Sequence, residues 1–305
     1  MKLVTYQAPG APERRVGAVV DGRVVPLSQH FPDMLAFLAG GAAARATAAR
    51  AVGAALRDPG ALVPLAGVRL YAPVPRPASI RDFMVFEAHV LGAMKTVAGL
   101  RGEPVDAVQV PPAWYRTPAY YKGNPASVVG PDADVVWPSY SGLLDYELEF
   151  GIFIGPPGRD IPRERAAEHI GGYTIFNDFS ARDAQGEEMT LQLGPAKGKD
   201  FDTGNAMGPF LVTPDELRDP YALTMVARVD GGEWSRGSSR DMHLRFEDLI
   251  AYVSRSETLH PGDFFGSGTV GGGCGLEHGR WLTKGCTIEL EVEGLGVLRN
   301  RVVDA

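Results

Sequence analysis

Apolar residues recur at every second position in several short stretches of the chain, the mark of strands whose two faces differ. Thr287-Ile288-Glu289-Leu290-Glu291-Val292 alternates cleanly, and Gly296-Val297-Leu298-Arg299 can pair with it after a turn at Glu293-Gly294-Leu295. Asp145-Tyr146-Glu147-Leu148-Glu149-Phe150 alternates in the same way. Near the N-terminus, Leu3-Val4-Thr5-Tyr6 and Arg15-Val16-Gly17-Ala18-Val19-Val20 read as strands. Asp21-Gly22 is a hairpin turn, from which Arg23-Val24-Val25-Pro26-Leu27 returns. Tyr173-Thr174-Ile175-Phe176-Asn177 is a further strand running into Asp178. Helical spacing is rarer. It marks Phe246 to Val253, and alanine richness predicts a helix from Ala42 to Leu56. Thr213-Pro214-Asp215-Glu216 carries a capping-box spacing with proline at the first helical position.

This pattern predicts a mainly β (α+β) protein. Residues 1–70 form a small N-terminal α+β unit, 71–77 a linker, and 78–305 a larger strand-rich domain. The linker carries Pro73, Pro75 and Pro77, which disfavour helix and central strand alike. A chain of 305 residues with 45% hydrophobic content can bury one large core or two unequal ones. Its 38 glycines and 24 prolines imply many turns. The formal charge is −7 and no basic block occurs, so nucleic acid is not an expected partner. No stretch resembles a signal peptide or a membrane span. With only Cys274 and Cys286, a disulfide framework or zinc cluster is not expected, and a reducing cytoplasm is.

The chemistry begins with Glu147 and Glu149, which a strand would place on one face. Two like charges side by side need water and a counterion, or a bound hard cation that prefers carboxylate oxygens. Spacing alone does not choose, because Glu289, Glu291 and Glu293 alternate equally well. Gly266-Ser267-Gly268-Thr269-Val270-Gly271 matches a dinucleotide-binding glycine pattern literally. The glycines and Cys274 that follow are not expected to open the stable helix such a site needs. Gly198-Lys199-Asp200 is a P-loop decoy, with Leu193 where the first glycine is required.

Four further segments separate the two acidic strands. They are Arg81-Asp82-Phe83-Met84-Val85-Phe86-Glu87-Ala88-His89, Asn177-Asp178-Phe179-Ser180-Ala181-Arg182-Asp183-Ala184-Gln185, Gly198-Lys199-Asp200-Phe201-Asp202-Thr203, and Ser267-Gly268-Thr269 leading to Gly273-Cys274-Gly275-Leu276-Glu277. With the Glu147/Glu149 strand, and in this order, they resemble the fumarylacetoacetate hydrolase family over about residues 77–303.

The resemblance implies a β-sandwich roll, a homodimer and a divalent cation, Mg2+ with Mn2+ or Ca2+ as alternatives. Asp82, Glu147, Glu149 and Asp178 match the metal carboxylates, His89 the catalytic histidine, and Glu277 the glutamate that orients it. Arg182, Gln185 and Lys199 match polar groups that hold the substrate and its developing charge. Tyr121 resembles a substrate contact, and Thr269 with the Gly268 backbone a clamp on a substrate carboxylate. The implied activity is hydrolysis of a C–C bond in a β-diketone or acylpyruvate-type oxo acid, as in aromatic catabolism, by His/Glu-activated water. Hydration, isomerisation or decarboxylation of a 2-oxo acid could use the same ligands, and a non-catalytic metal- or carboxylate-binding protein is the third expectation. Met84 and Met189 stand where fumarylacetoacetate hydrolases carry tyrosines, which points to a less polar substrate. His278 has no role in the pattern, and Cys274, with no base assigned to it, is expected to pack.

Overall fold

Asp21 and Gly22 both adopt positive φ, and the hairpin between Arg15–Val20 and Arg23–Pro26 closes as predicted, with Val20 opposite Arg23. The computed structural model describes every residue except 59, 61 and 305. The strands Thr287–Val292 and Gly296–Val303 pair around the expected turn. The helix Phe246–Val253 has the predicted bounds, and the alanine-rich helix spans Gly41–Ala55.

Most strands assemble into two sheets. The larger runs Val63–Pro64, Arg23–Pro26, Arg15–Val20, Lys2–Gln7, Asn205–Val212, Ile170–Asp178, Leu148–Ile154, Phe264–Gly266, Ile80–Phe83 and Tyr120–Gly123. The N-terminal strands thus extend the sheet that carries the acidic residues, through Lys2 opposite Val212 and Leu3 opposite Leu211. Residues 72–79 form neither strand nor helix. The smaller sheet runs Gly232–Ser238, Thr224–Val229, Thr287–Val292, Gly296–Val303 and Asp134–Val136. Phe150 and Ile152 of the larger sheet share a core cluster with Met225, Leu290 and Leu298 of the smaller one. Phe153, Phe176 and Phe264 share another with Met34, Phe37 and Leu38.

Burial on both sides changes the meaning of the Glu147/Glu149 alternation. All residues of Leu148–Ile154 are buried, so Glu149 does not face water but lies inside the fold. Glu147 stands one residue before the strand and bridges Cys274. Two local expectations also need correction. The Thr213 segment forms only the 3-10 turn Pro214–Glu216, because the Thr213 hydroxyl bonds the N-terminal residue Met1 rather than capping a helix. A helix not anticipated, Glu87–Leu100, carries His89. Only a single helical turn, Gly275–His278, follows the glycine run, not the stable helix a dinucleotide site needs.

The larger sheet gathers three acids toward one region. Asp178 ends its strand, Glu149 sits opposite Phe176 on the next, and Asp82 sits opposite Gly266. Gly266 leaves the space that Asp82 fills: a Cβ there would stand 2.2 Å from Asp82 Oδ1. Gly266→Ala is therefore expected to destabilise the fold by about 1–3 kcal/mol through overpacking. Denaturant unfolding checks this; an unchanged midpoint would show that Asp82 can move away freely.

Candidate active site

Asp82, Glu149 and Asp178 each present a ligand oxygen, and these oxygens lie within 4.8 Å of one another. The three residues come from different strands and are 5%, 0% and 0% exposed. Neighbours hold one oxygen of each. The Gly268 N–H donates to Asp82 Oδ1 at 3.1 Å, the Thr269 hydroxyl to Glu149 Oε1 at 3.1 Å, and the Tyr121 hydroxyl to Asp178 Oδ2 at 2.6 Å. Glu149 Oε2 and Asp178 Oδ1 are buried without a hydrogen-bond partner. Buried carboxylate oxygens are normally satisfied. Two orphaned oxygens beside a third acid form an all-oxygen donor set suited to a hard divalent cation, so the residues present fit the metal that the sequence implied.

Electrostatics point the same way. Burial, and then the charge of Asp178, raise the Asp82 carboxyl well above its ordinary range. Burial followed by Asp82, Glu147 and Asp178 does the same to Glu149. Asp178 is raised by burial to about 6, although Lys199 works against the shift. These acids resist simultaneous ionisation unless a cation joins them.

Glu147 does not join this triad. Its Oε1 accepts from Arg182 Nη2 at 2.7 Å and its Oε2 from Lys199 Nζ at 2.6 Å. Burial would raise its pKa, but Lys199 and Arg182 outweigh burial and hold it at about 2. Lys199 also donates to Asp178 Oδ2 at 2.5 Å. It is 3% exposed, and the charges of Asp178 and Glu147 overcome burial to keep it protonated. Arg182 is fully engaged as well: Nε donates to Asp145 at 2.9 Å and Nη1 to Gln185 at 2.9 Å.

His89 and Glu277 meet as predicted, with Nδ1 and Oε2 2.9 Å apart. A carboxylate only accepts, so this contact selects the Nδ1–H tautomer of a neutral ring, in which Nε2 is the acceptor. The Gly272 N–H holds Glu277 Oε1 at 3.0 Å. Gly92 lets the helix bearing His89 approach: a Cβ there would stand 2.7 Å from Glu277 Oε1. His278 Nε2 bonds the Gly272 carbonyl at 2.9 Å, and Cys274 is buried with its thiol 3.3 Å from Glu277 Oε2.

The expected carboxylate clamp is placed differently. Gly268 N–H and the Thr269 hydroxyl address acids of the triad here, not an open position. Met84 and Met189 are 48% and 50% exposed, forming apolar surface rather than core. One buried residue of this network was missed. Asp145 is fully buried, accepts from Arg182 and from the backbone N–H groups of Gly275 and Leu276 at 2.8 and 3.0 Å, and so ties the Glu277 turn to the Arg182–Glu147 pair. Its place in the Asp145–Phe150 segment was the only signal.

Comparison with known proteins adds the following. Residues 87–303 match the family described as fumarylacetoacetate (FAA) hydrolase C-terminal. A mitochondrial oxaloacetate tautomerase of Rattus norvegicus is 34% identical over 313 residues, covering 99% of this chain and 92% of its own. The fumarylacetoacetate hydrolase structure from Exiguobacterium antarcticum is 27% identical, with a TM-score of 0.75 and all of both chains covered. A maleylpyruvate hydrolase from Sphingobium sp. SYK-6, solved with manganese(II) and pyruvate, shares the fold at 24% identity and a TM-score of 0.76, again over both whole chains. Among the described residues no helix is long and apolar enough to cross a membrane.

The buried acids set a pH dependence. Asp178 at about 6 stands above its ordinary 3.8, so its proton stabilises the metal-free fold fully below 3.8, and that stabilisation is lost as pH rises through about 6. Asp82 and Glu149 act with the same sign. Glu147 acts oppositely, losing its contribution only as pH falls from 4.5 toward about 2. The melting temperature of chelator-treated protein should therefore fall as pH rises through about 6, and excess Mg2+ should remove the fall. A pH-independent melting temperature, unmoved by Mg2+, would contradict this electrostatic picture.

Proposed function

The chain belongs to the fumarylacetoacetate hydrolase family, and on that premise we propose that it is a divalent-metal-dependent enzyme that interconverts the enol and keto forms of a short 2-oxo acid of the oxaloacetate type. The observation that carries this reading is a buried oxygen triad and a paired His–Glu dyad joined through Glu147, which shares Lys199 with Asp178 and bridges Cys274. Asp82, Glu149 and Asp178 would hold Mg2+ or Mn2+, with Glu147 joined to Asp178 through Lys199. The cation, when bound, would act as a Lewis acid on a chelated carbonyl and increase the acidity of the neighbouring C–H.

The remaining work falls to the protein's own groups. His89 Nε2 accepts the proton from one site of the substrate and returns it to another. Glu277, fixed by the Gly272 N–H, holds the tautomer and stabilises the imidazolium between the two transfers. Gly268, Thr269 and Tyr121 orient the triad through their hydrogen bonds. Gln185 offers its amide to a substrate carboxylate, and Met84 and Met189 offer apolar surface to the rest of the molecule.

Hydrolysis of a C–C bond by His89-activated water is the second reading, favoured by the likeness to the Exiguobacterium enzyme. It asks Lys199 and Arg182 to meet a developing oxyanion. Both are committed to Glu147, Asp178, Asp145 and Gln185. Proton transfer requires no such release, which supports the tautomerase reading, as does the tautomerase among the relatives.

Chelation should abolish the enzyme-dependent decay of enol-oxaloacetate absorbance, and Mg2+ or Mn2+ should restore it. His89→Ala should slow that decay by about 10²-fold or more while metal binding persists. Two acids released from an acylpyruvate, without acceleration of tautomerisation, would favour hydrolysis instead. Full activity in His89→Ala would remove the dyad from both readings.

A further inference from the structure

The dyad has a third member that the proton transfer does not use. A ring nitrogen of His89, the Cys274 thiol and a Glu277 carboxylate oxygen all lie within 4.8 Å of one another. Glu277 Oε2 is 2.9 Å from Nδ1 and 3.3 Å from Sγ. We propose that His89, Cys274 and Glu277 form a second metal site, selective for Zn2+ over Mg2+, whose occupation switches off the dyad.

The donor chemistry separates this site from the oxygen triad. Nitrogen, thiolate and carboxylate suit zinc, whereas carboxylates alone suit the hard cations. Three protein ligands leave the fourth tetrahedral position to water. The donors are also held in place before any ion arrives. Glu277 is fixed through Oε1 by the Gly272 N–H, leaving Oε2 toward the other two. Cys274 is fixed by its bridge to Glu147, and the turn between Cys274 and Glu277 is anchored on Asp145. His89 projects from a separate helix that packs on this turn.

Binding releases the Cys274 thiol proton to solvent. The Nδ1 lone pair goes to zinc, so the ring's remaining proton sits on Nε2. An Nε2–H cannot accept a proton from the substrate, and the Glu277 carboxylate becomes a ligand instead of the imidazole's partner. Zinc should therefore inhibit without displacing the catalytic cation. The site itself stands on geometry and donor type; only the inhibition rests on His89 acting as the base.

Co2+ reports thiolate ligation by a near-ultraviolet charge-transfer band. Added to protein saturated with Mg2+, one equivalent should produce that band, and Zn2+ should bleach it. Cys274→Ser should abolish the band, and His89→Ala should weaken Co2+ binding by about tenfold or more. Zn2+ should lower turnover in parallel with the bleaching, and additional Mg2+ should not restore it. A cobalt spectrum without a thiolate band, or one unchanged in Cys274→Ser or in affinity in His89→Ala, would overturn the site. A normal band with turnover untouched by Zn2+ would leave the site standing, overturn its link to catalysis and count against His89 as the base.

Discussion

Asp82, Glu149 and Asp178 are buried together, and their mutual repulsion is the constraint around which the region is organised. With Glu147 and Asp145, five buried carboxylates share a network whose cations are Lys199 and Arg182. The two cations do not divide evenly. Arg182 bonds Glu147 and Asp145, Lys199 bonds Glu147 and Asp178, and among the described residues no cationic side chain bonds Asp82 or Glu149. Breaking a buried ion pair typically costs about 3–5 kcal/mol because a charge is left uncompensated. Asp82 and Glu149 are in that position until protons or a divalent cation join them.

The surrounding fold meets this constraint. Gly266 makes room for Asp82, while Gly268, Thr269 and Tyr121 each give one oxygen of the triad a donor. Glu149 and Asp178 each keep one buried oxygen without a hydrogen-bond partner. Asp145 then links the charge network to the turn that carries Glu277, and through Glu277 to His89. Charge compensation and acid–base chemistry thus share one set of bonds. The same compactness puts a thiol against the dyad, where a softer cation would find ligands of its own.

Much of this was legible in the chain. The hairpin at Asp21-Gly22, the Phe246–Val253 helix and the C-terminal strand pair each follow from local turn chemistry or periodicity, which tertiary structure did not override. The His89–Glu277 pair was readable only as part of a longer pattern, since 188 positions separate the two residues. The Glu87–Leu100 helix was missed because Phe86 at its N-cap supplies no side-chain cap, leaving no start signal. The Glu147/Glu149 alternation put both acids on one face, yet Glu147 lies outside the strand and turns to Lys199 and Arg182. Asp145 stayed hidden because its role exists only once Arg182 and the Glu277 turn have come to it in space.

The central claim is that the strand-borne triad is a cation site. Anomalous diffraction at the manganese absorption edge, from crystals grown with Mn2+, tests it most directly. The account predicts a peak within coordinating distance of oxygens from Asp82, Glu149 and Asp178 together. Ordered, ionised triad carboxylates with no peak between them, or a peak held by other residues alone, would contradict it.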